Sequence, residues 1–398
     1  MQLKKTLISA ILSGLVFFHL PATASEFAEF SAFGRIVGGY LDTDEARYEG
    51  YDDEVSFSQQ SLIAVQGDFS ISDTLTVSAQ LLAHSGDERQ SGAEWLYLSY
   101  KPNVSWRFKA GKMRTPFFRY SDVIDVGFAY PWISPPQQVY SSYFFSNYEG
   151  VSSTYHFDYK QTHIELEAYF GIHDDEYSFR GRDIRLDVEE IVGLLATANY
   201  GNLGFRASYM QSSKFDADIP EIKEFSAILS AAGFQDNANS LSFDGTARGY
   251  QLGVNYDSLD YFWAAEWISI RSDVLTVPNV DSYYLSVGYN FDGIQTHVTY
   301  AGSNATVKAA QNFIPKGVNP QLDALSFGYD NFIDNLLVDS LKSISVGLRY
   351  DFMHNVAAKV EVSFLNGEPG EDAFFTDIST NSFDRKARLY QIGLEWVY

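Results

Sequence analysis

The chain has 398 residues, a formal net charge of −23, 16% aromatic residues with 27 tyrosines among them, and no cysteine. So acidic a balance argues against a nucleic-acid partner, because phosphate binding needs clustered Lys and Arg. Beyond the first two dozen residues no stretch reaches the roughly 18 consecutive apolar residues of a membrane helix, and without cysteine the fold has no disulfide framework.

The chain opens on an export signal. Lys4 and Lys5 precede an apolar run from Thr6 to Phe18, and Ala22-Thr23-Ala24 supplies a small-residue cleavage pattern. The expected division is a signal peptide over residues 1–24 and one folded unit over residues 25–398. From there on alternation dominates, in segments of roughly ten residues. Successive side chains of a strand point to opposite faces, so each segment has one apolar and one polar face. The first strand carries Arg35 among Gly34, Gly38 and Gly39. Next, Ile63, Val65, Phe69 and Ile71 oppose Gln66 and Asp68, and Leu75, Val77, Ala79 and Leu81 oppose Thr76, Ser78 and Gln80. On the fifth strand, Ser105–Met113, Trp106 and Phe108 oppose Arg107 and Lys109. The rhythm returns at Ile164–Phe170, Leu203–Tyr209, Tyr283–Phe291, Ile344–Phe352 and Val356–Phe364. It closes on Tyr390, Ile392, Leu394, Trp396 and Tyr398 against Gln391, Gly393 and Glu395.

The connections alternate in length. Short turns read at Ser72-Asp73, Lys101-Pro102-Asn103, Asp158–Gln161, Gly201-Asn202, Asp257–Asp260, Asp292-Gly293 and Met353-His354-Asn355. Long polar links read at Leu41–Ser58, His84–Gly92, Arg114–Tyr148, His173–Val188, Gln211–Gly245, Ser272–Val280, Ser303–Asp339 and Asn366–Arg385. Seven turns and eight links join sixteen strands. The expected fold class is all-β: a closed antiparallel transmembrane β-barrel with short periplasmic turns and long extracellular loops. Closure satisfies every backbone N–H and C=O in hydrocarbon, with apolar rows toward lipid and polar rows toward water. Tyr100, Phe157, Tyr159, Tyr200, Tyr256, Tyr289, Phe291, Tyr350 and Phe352 gather at the short turns, where an aromatic girdle belongs.

This layout, the aromatic last residue Tyr398 on a final strand Lys386–Tyr398, and the long loop Arg114–Tyr148 after the fifth strand together resemble the sixteen-stranded Gram-negative porin superfamily. The superfamily's usual last residue is phenylalanine, from which Tyr398 departs mildly. The resemblance covers the whole chain after the signal. It implies an outer-membrane location amid lipid and lipopolysaccharide, a homotrimer, recognition of Tyr398 by the barrel-assembly machinery, and a third loop folded inward to narrow the pore. It also implies passive passage of small hydrophilic solutes and ions. Glycines of the first strand would permit close subunit packing.

The third loop carries Phe117, Phe118, Phe128, Tyr130, Trp132 and Ile133, which need a surface to pack against. A channel selects ions by the sign of charge at its constriction. Candidate acids are Asp122 and Asp125 on the loop; candidate bases on the wall are Arg107, Lys109, Arg35, Arg349 and Lys359. Lys112 and Arg114 flank the loop, and Glu165, Glu167, Glu266, Glu361 and Glu395 read as further lumen acids. The acidic total favours cations. No H-E-x-x-H, calcium loop or Gly-x-Ser-x-Gly elbow is present, so neither metal, cofactor nor enzyme activity is expected. The acidic runs Asp42–Glu45 and Asp174–Glu176 read as solvated surface rather than cation sites. Two other readings stay open: a substrate-selective channel, and a non-transport barrel acting as an adhesin or lipid-active enzyme.

Overall fold

The computed structural model describes residues 27–398 except 87–90, 142–145, 180–181, 244, 276, 309–310, 335, 337 and 381. The expected signal peptide therefore lies outside the described residues. The barrel strands are β1 (Ala28–Leu41), β2 (Leu62–Ser72), β3 (Leu75–His84), β4 (Gly92–Tyr100), β5 (Trp106–Arg114) and β6 (Asn147–Tyr159). There follow β7 (Thr162–Phe179), β8 (Arg182–Tyr200), β9 (Leu203–Ala217), β10 (Thr246–Asp257) and β11 (Tyr261–Ser272). The last five are β12 (Asn279–Phe291), β13 (Ile294–Thr306), β14 (Leu341–Met353), β15 (Val356–Gly367) and β16 (Lys386–Val397). Each pairs antiparallel with its chain neighbours, and β16 closes on β1 from Phe33↔Val397 to Leu41↔Leu389. The sheet is a closed sixteen-stranded barrel, as expected.

Alternation sorts the two faces. Val360, Ile392, Leu285 and Val346 are exposed on the outer wall, whereas Lys359, Glu361, Gln391 and Ser286 are buried on the inner one. Exposed Tyr100, Tyr159, Tyr200, Tyr289, Phe291, Tyr350 and Phe352 ring the short-turn rim, while Phe157 and Tyr256 are half-buried. A two-residue turn joins β12 to β13. Asp292 and Gly293 both have positive φ, 45° and 78°, the left-handed pair that a two-residue type I′ hairpin requires.

The long-loop rim departs from the sequence reading in three places. The link His173–Val188 is mostly strand: β7 and β8 stay paired out to Phe179↔Arg182, as a hairpin that outruns both neighbours. The fifth long loop holds α1 (Pro220–Ala231) and α2 (Gln235–Ser240), and the seventh holds α3 (Pro320–Asp334). These helices share an apolar core of Leu229, Ala238, Leu241, Ile314 and Tyr329. Third, the first and eighth loops join through a two-stranded ribbon, Arg47–Tyr48 with Phe375–Thr376, over a core that includes Tyr48, Tyr51, Leu365 and Phe375.

The first-strand glycines have a different use from subunit packing. A side chain at Gly34 would meet the ring of Trp396, one at Gly38 the ring of Phe57, and one at Gly39 the ring of Tyr51. All three spaces are filled by this chain itself.

Candidate functional site: a lumen narrowed by the third long loop

From the end of β5, residues 115–141 run through the inside of the barrel. Their aromatic side chains explain why. Phe117, Tyr130 and Trp132 are each 2% exposed or less, packed among Tyr148, Tyr169, Met210, Ile268 and Tyr284 of the wall, and Ile133 is fully buried. The barrel interior thus serves as the loop's hydrophobic core, and burying rings of this size is its main driving force.

Polar contacts fix where the loop lies. Lys359 on β15 donates to the carbonyls of Gly127, Tyr130 and Trp132 at 2.6–2.8 Å and pairs with Glu395 of β16 at 2.7 Å. Arg349 on β14 donates to Phe128 O at 2.7 Å and lies over the Phe128 ring. Arg35 on β1 donates to Tyr130 Oη at 3.1 Å and Gln60 O at 2.9 Å. Glu266 of β11 accepts from Arg119 N at 3.0 Å and Tyr140 Oη at 2.7 Å, while Glu361, on β15 with Lys359, accepts from Ile133 N at 3.2 Å. Trp132 Nε1 donates to Thr299 Oγ1 at 2.7 Å, and Arg206 and Ser208 of β9 donate to Pro116 O and Phe117 O at 2.6 and 2.8 Å. Burial pushes the phenol of Tyr130 up, and burial with the nearby Glu266 carboxylate raises that of Tyr140. Both stay protonated as donors.

The loop therefore fills the lumen against β9 to β16. On the β14–β16 side a pocket of about 20 Å³ lies between Trp132, Gln138 and Tyr48. The larger space is a chamber of about 390 Å³ on the other side, walled by β1 to β7 and β16. Lys109, Asp122, Glu167, Gln66, Gln80, Trp95 and Tyr97 line it.

This geometry divides the candidate charges. Asp122 and Lys109 face the chamber, across which lies Glu167. Lys109 Nζ stands 5.0 Å over the ring of Tyr97. Arg107 is half-buried on the inner face of β5, as alternation places it. Asp125 is not at an opening: it is buried and pairs with Arg114 at 2.6 Å, which also pairs with Glu94 at 2.7 Å. Arg35, Arg349 and Lys359 are buried as well, and each donates to the loop. Of the remaining acids, Glu165 pairs with His156 at 3.0 Å near the short-turn rim, and Lys112 pairs with Asp175 at 3.0 Å. Glu94 and Trp95 are absent from the sequence reading. A register shift between Gln80 and Leu81 marks a bulge at this point of β4. It breaks strict alternation and turns both residues toward Arg114, whose guanidinium lies 5.7 Å over the Trp95 ring.

The same architecture is present in solved outer-membrane proteins. Salmonella typhi OmpF, in complex with daunomycin, superposes with a TM-score of 0.56 over 93% of this chain and 97% of that one, at 15% identity. The chain has the sixteen-stranded porin fold. The anion-selective porin of Comamonas acidovorans matches with a TM-score of 0.56 over 93% and 100% of the two chains, at 11% identity. The trimer form of Vibrio cholerae OmpT, folded in vitro, matches at 0.51 over 93% and 99%, at 14% identity. No family model matches the sequence, and no curated protein sequence does.

Proposed function

We propose that this protein is an exported outer-membrane channel, not an enzyme, that passes small hydrophilic solutes and ions by diffusion and prefers cations. The observation that carries the reading is the off-axis chamber, where Asp122 of the loop and Lys109 of the wall face open space without an ion pair among the described residues. A residue that only held the loop would be paired, as Asp125 and Lys359 are. The preference for cations rests on Asp122 and Glu167 against Lys109, and on the net charge of −23.

The wider setting belongs to the same proposal. Residues 1–24 direct export and are removed, and Tyr398 is presented to the assembly machinery at the end of β16. Lipid covers the apolar outer wall, lipopolysaccharide surrounds the long loops, and three copies assemble. The trimer form of the Vibrio cholerae protein supports the last point.

The test is the reversal potential of the purified protein in a planar bilayer under a salt gradient. Ohmic conductance with a potential of cation-selective sign is expected, and Asp122→Asn moves it toward zero. Anion selectivity, or no change on that substitution, contradicts the reading.

A further inference from the structure

We infer that the chamber beside the third loop binds a small zwitterion, an ammonium and a carboxylate on a short carbon skeleton, as in an amino acid or a dipeptide. This rests on the channel reading and adds a solute class to it.

The chamber holds charges of both signs that do not neutralise one another. Lys109 is held over the Tyr97 ring, and neither Asp122 nor Glu167 forms an ion pair among the described residues. All three line this one chamber, so one solute can reach them together. Two neutral groups on the same wall are also unsatisfied. Gln80, 1% exposed, has a buried Oε1 with no hydrogen-bond partner, and Trp95 has a buried Nε1 in the same state. A buried polar atom without a partner is unfavourable, so these positions gain from a ligand that supplies one. An N–H donor suits Gln80, and a carboxylate oxygen suits Trp95. Met113, Val123 and Val126 add an apolar side to the same space.

A volume of about 390 Å³ lies toward the small end of ligand pockets, roughly 300–1,000 Å³. A simple cation would answer the acids and leave Lys109 unanswered. A neutral sugar would answer none of the three charges. A zwitterion answers both signs at once.

The experiment is single-channel recording with graded glycylglycine, compared with glycinamide, N-acetylglycine and the neutral N-acetylglycinamide. Glycylglycine is expected to reduce the ion current saturably, with a half-blocking concentration about tenfold or more below that of the neutral analogue, the step that 1.4 kcal/mol of added affinity gives. Each singly charged analogue is expected to fall between them. Lys109→Gln and Asp122→Asn should each remove most of the zwitterion's advantage. The comparison of four solutes on the unaltered protein needs no variant to fold. Equal block by glycylglycine and the neutral analogue, or no block by either in a conducting channel, overturns the inference and leaves the channel reading standing. A protein that inserts and does not conduct overturns both.

Discussion

Lys359 carries the physics of this lumen in one side chain. Its ammonium is fully buried, yet it has a carboxylate partner in Glu395 and three carbonyl acceptors on the loop. Burial of a charge is tolerable only with such complete satisfaction. Replacing it by methionine keeps the bulk but strands the Glu395 charge and three carbonyls. Breaking one half of a buried pair typically costs about 3–5 kcal/mol. Lys359→Met should therefore lower the thermal midpoint of the loop's release, read as protease cleavage within residues 115–141 in detergent. Wild-type resistance would contradict the anchoring role. Alternation assigns Lys359 to the inner face, because it decides a strand residue's face. It could not identify the partner. Gly127 and Lys359 are 232 positions apart, and a contact across that distance leaves no periodic trace. The same limit hid the Arg114–Asp125 pair, and the bulge hid Glu94 and Trp95.

At the scale of elements, the strands were legible because lipid on one side and the lumen on the other impose a strict period of two. Where a segment leaves the membrane that constraint ends, and so did the reading. On the β7 side of the β7–β8 hairpin the acidic run Asp174-Asp175-Glu176 masks the pattern, while Ile184, Leu186 and Val188 of β8 keep the alternation going toward its tip. The helices were present in a different rhythm. Leu322, Leu325, Tyr329 and Phe332 recur at three- and four-residue steps in α3, and Ile222, Phe225 and Leu229 do the same in α1. Both sets pack into the shared core between the fifth and seventh loops. One tie of that unit is sensitive to acid. Lys316, donating at 2.7 Å, and Asn312 hold the Asp330 carboxyl below the ordinary carboxylate range. A depressed carboxylate stabilises above its unfolded value, and the contribution is lost as pH falls through the folded one. Amide exchange of residues 312–334, corrected for intrinsic rate, should therefore speed up between pH 7 and pH 3 relative to the barrel strands. Equal protection at both values would contradict the tie.

For the whole molecule, the outcome is an asymmetrically filled barrel. The barrel is a regular cylinder, but its contents are not. The third loop, braced by bases on β1, β14 and β15 and by acids on β11 and β15, closes the side toward β9–β16. The ribbon of the first and eighth loops adds a second cover there. What stays open follows the opposite wall past Asp122 and Lys109. The natural chain contains no cysteine, so one introduced thiol is unique. The most direct measurement is single-channel recording of Asp122→Cys before and after a bulky thiol-specific reagent. If the path runs through the chamber, stable conductance steps fall sharply on modification, whereas a thiol placed at Ser286 beneath the loop is not modified and leaves the current unchanged. Undiminished current after complete labelling at position 122 would contradict the account.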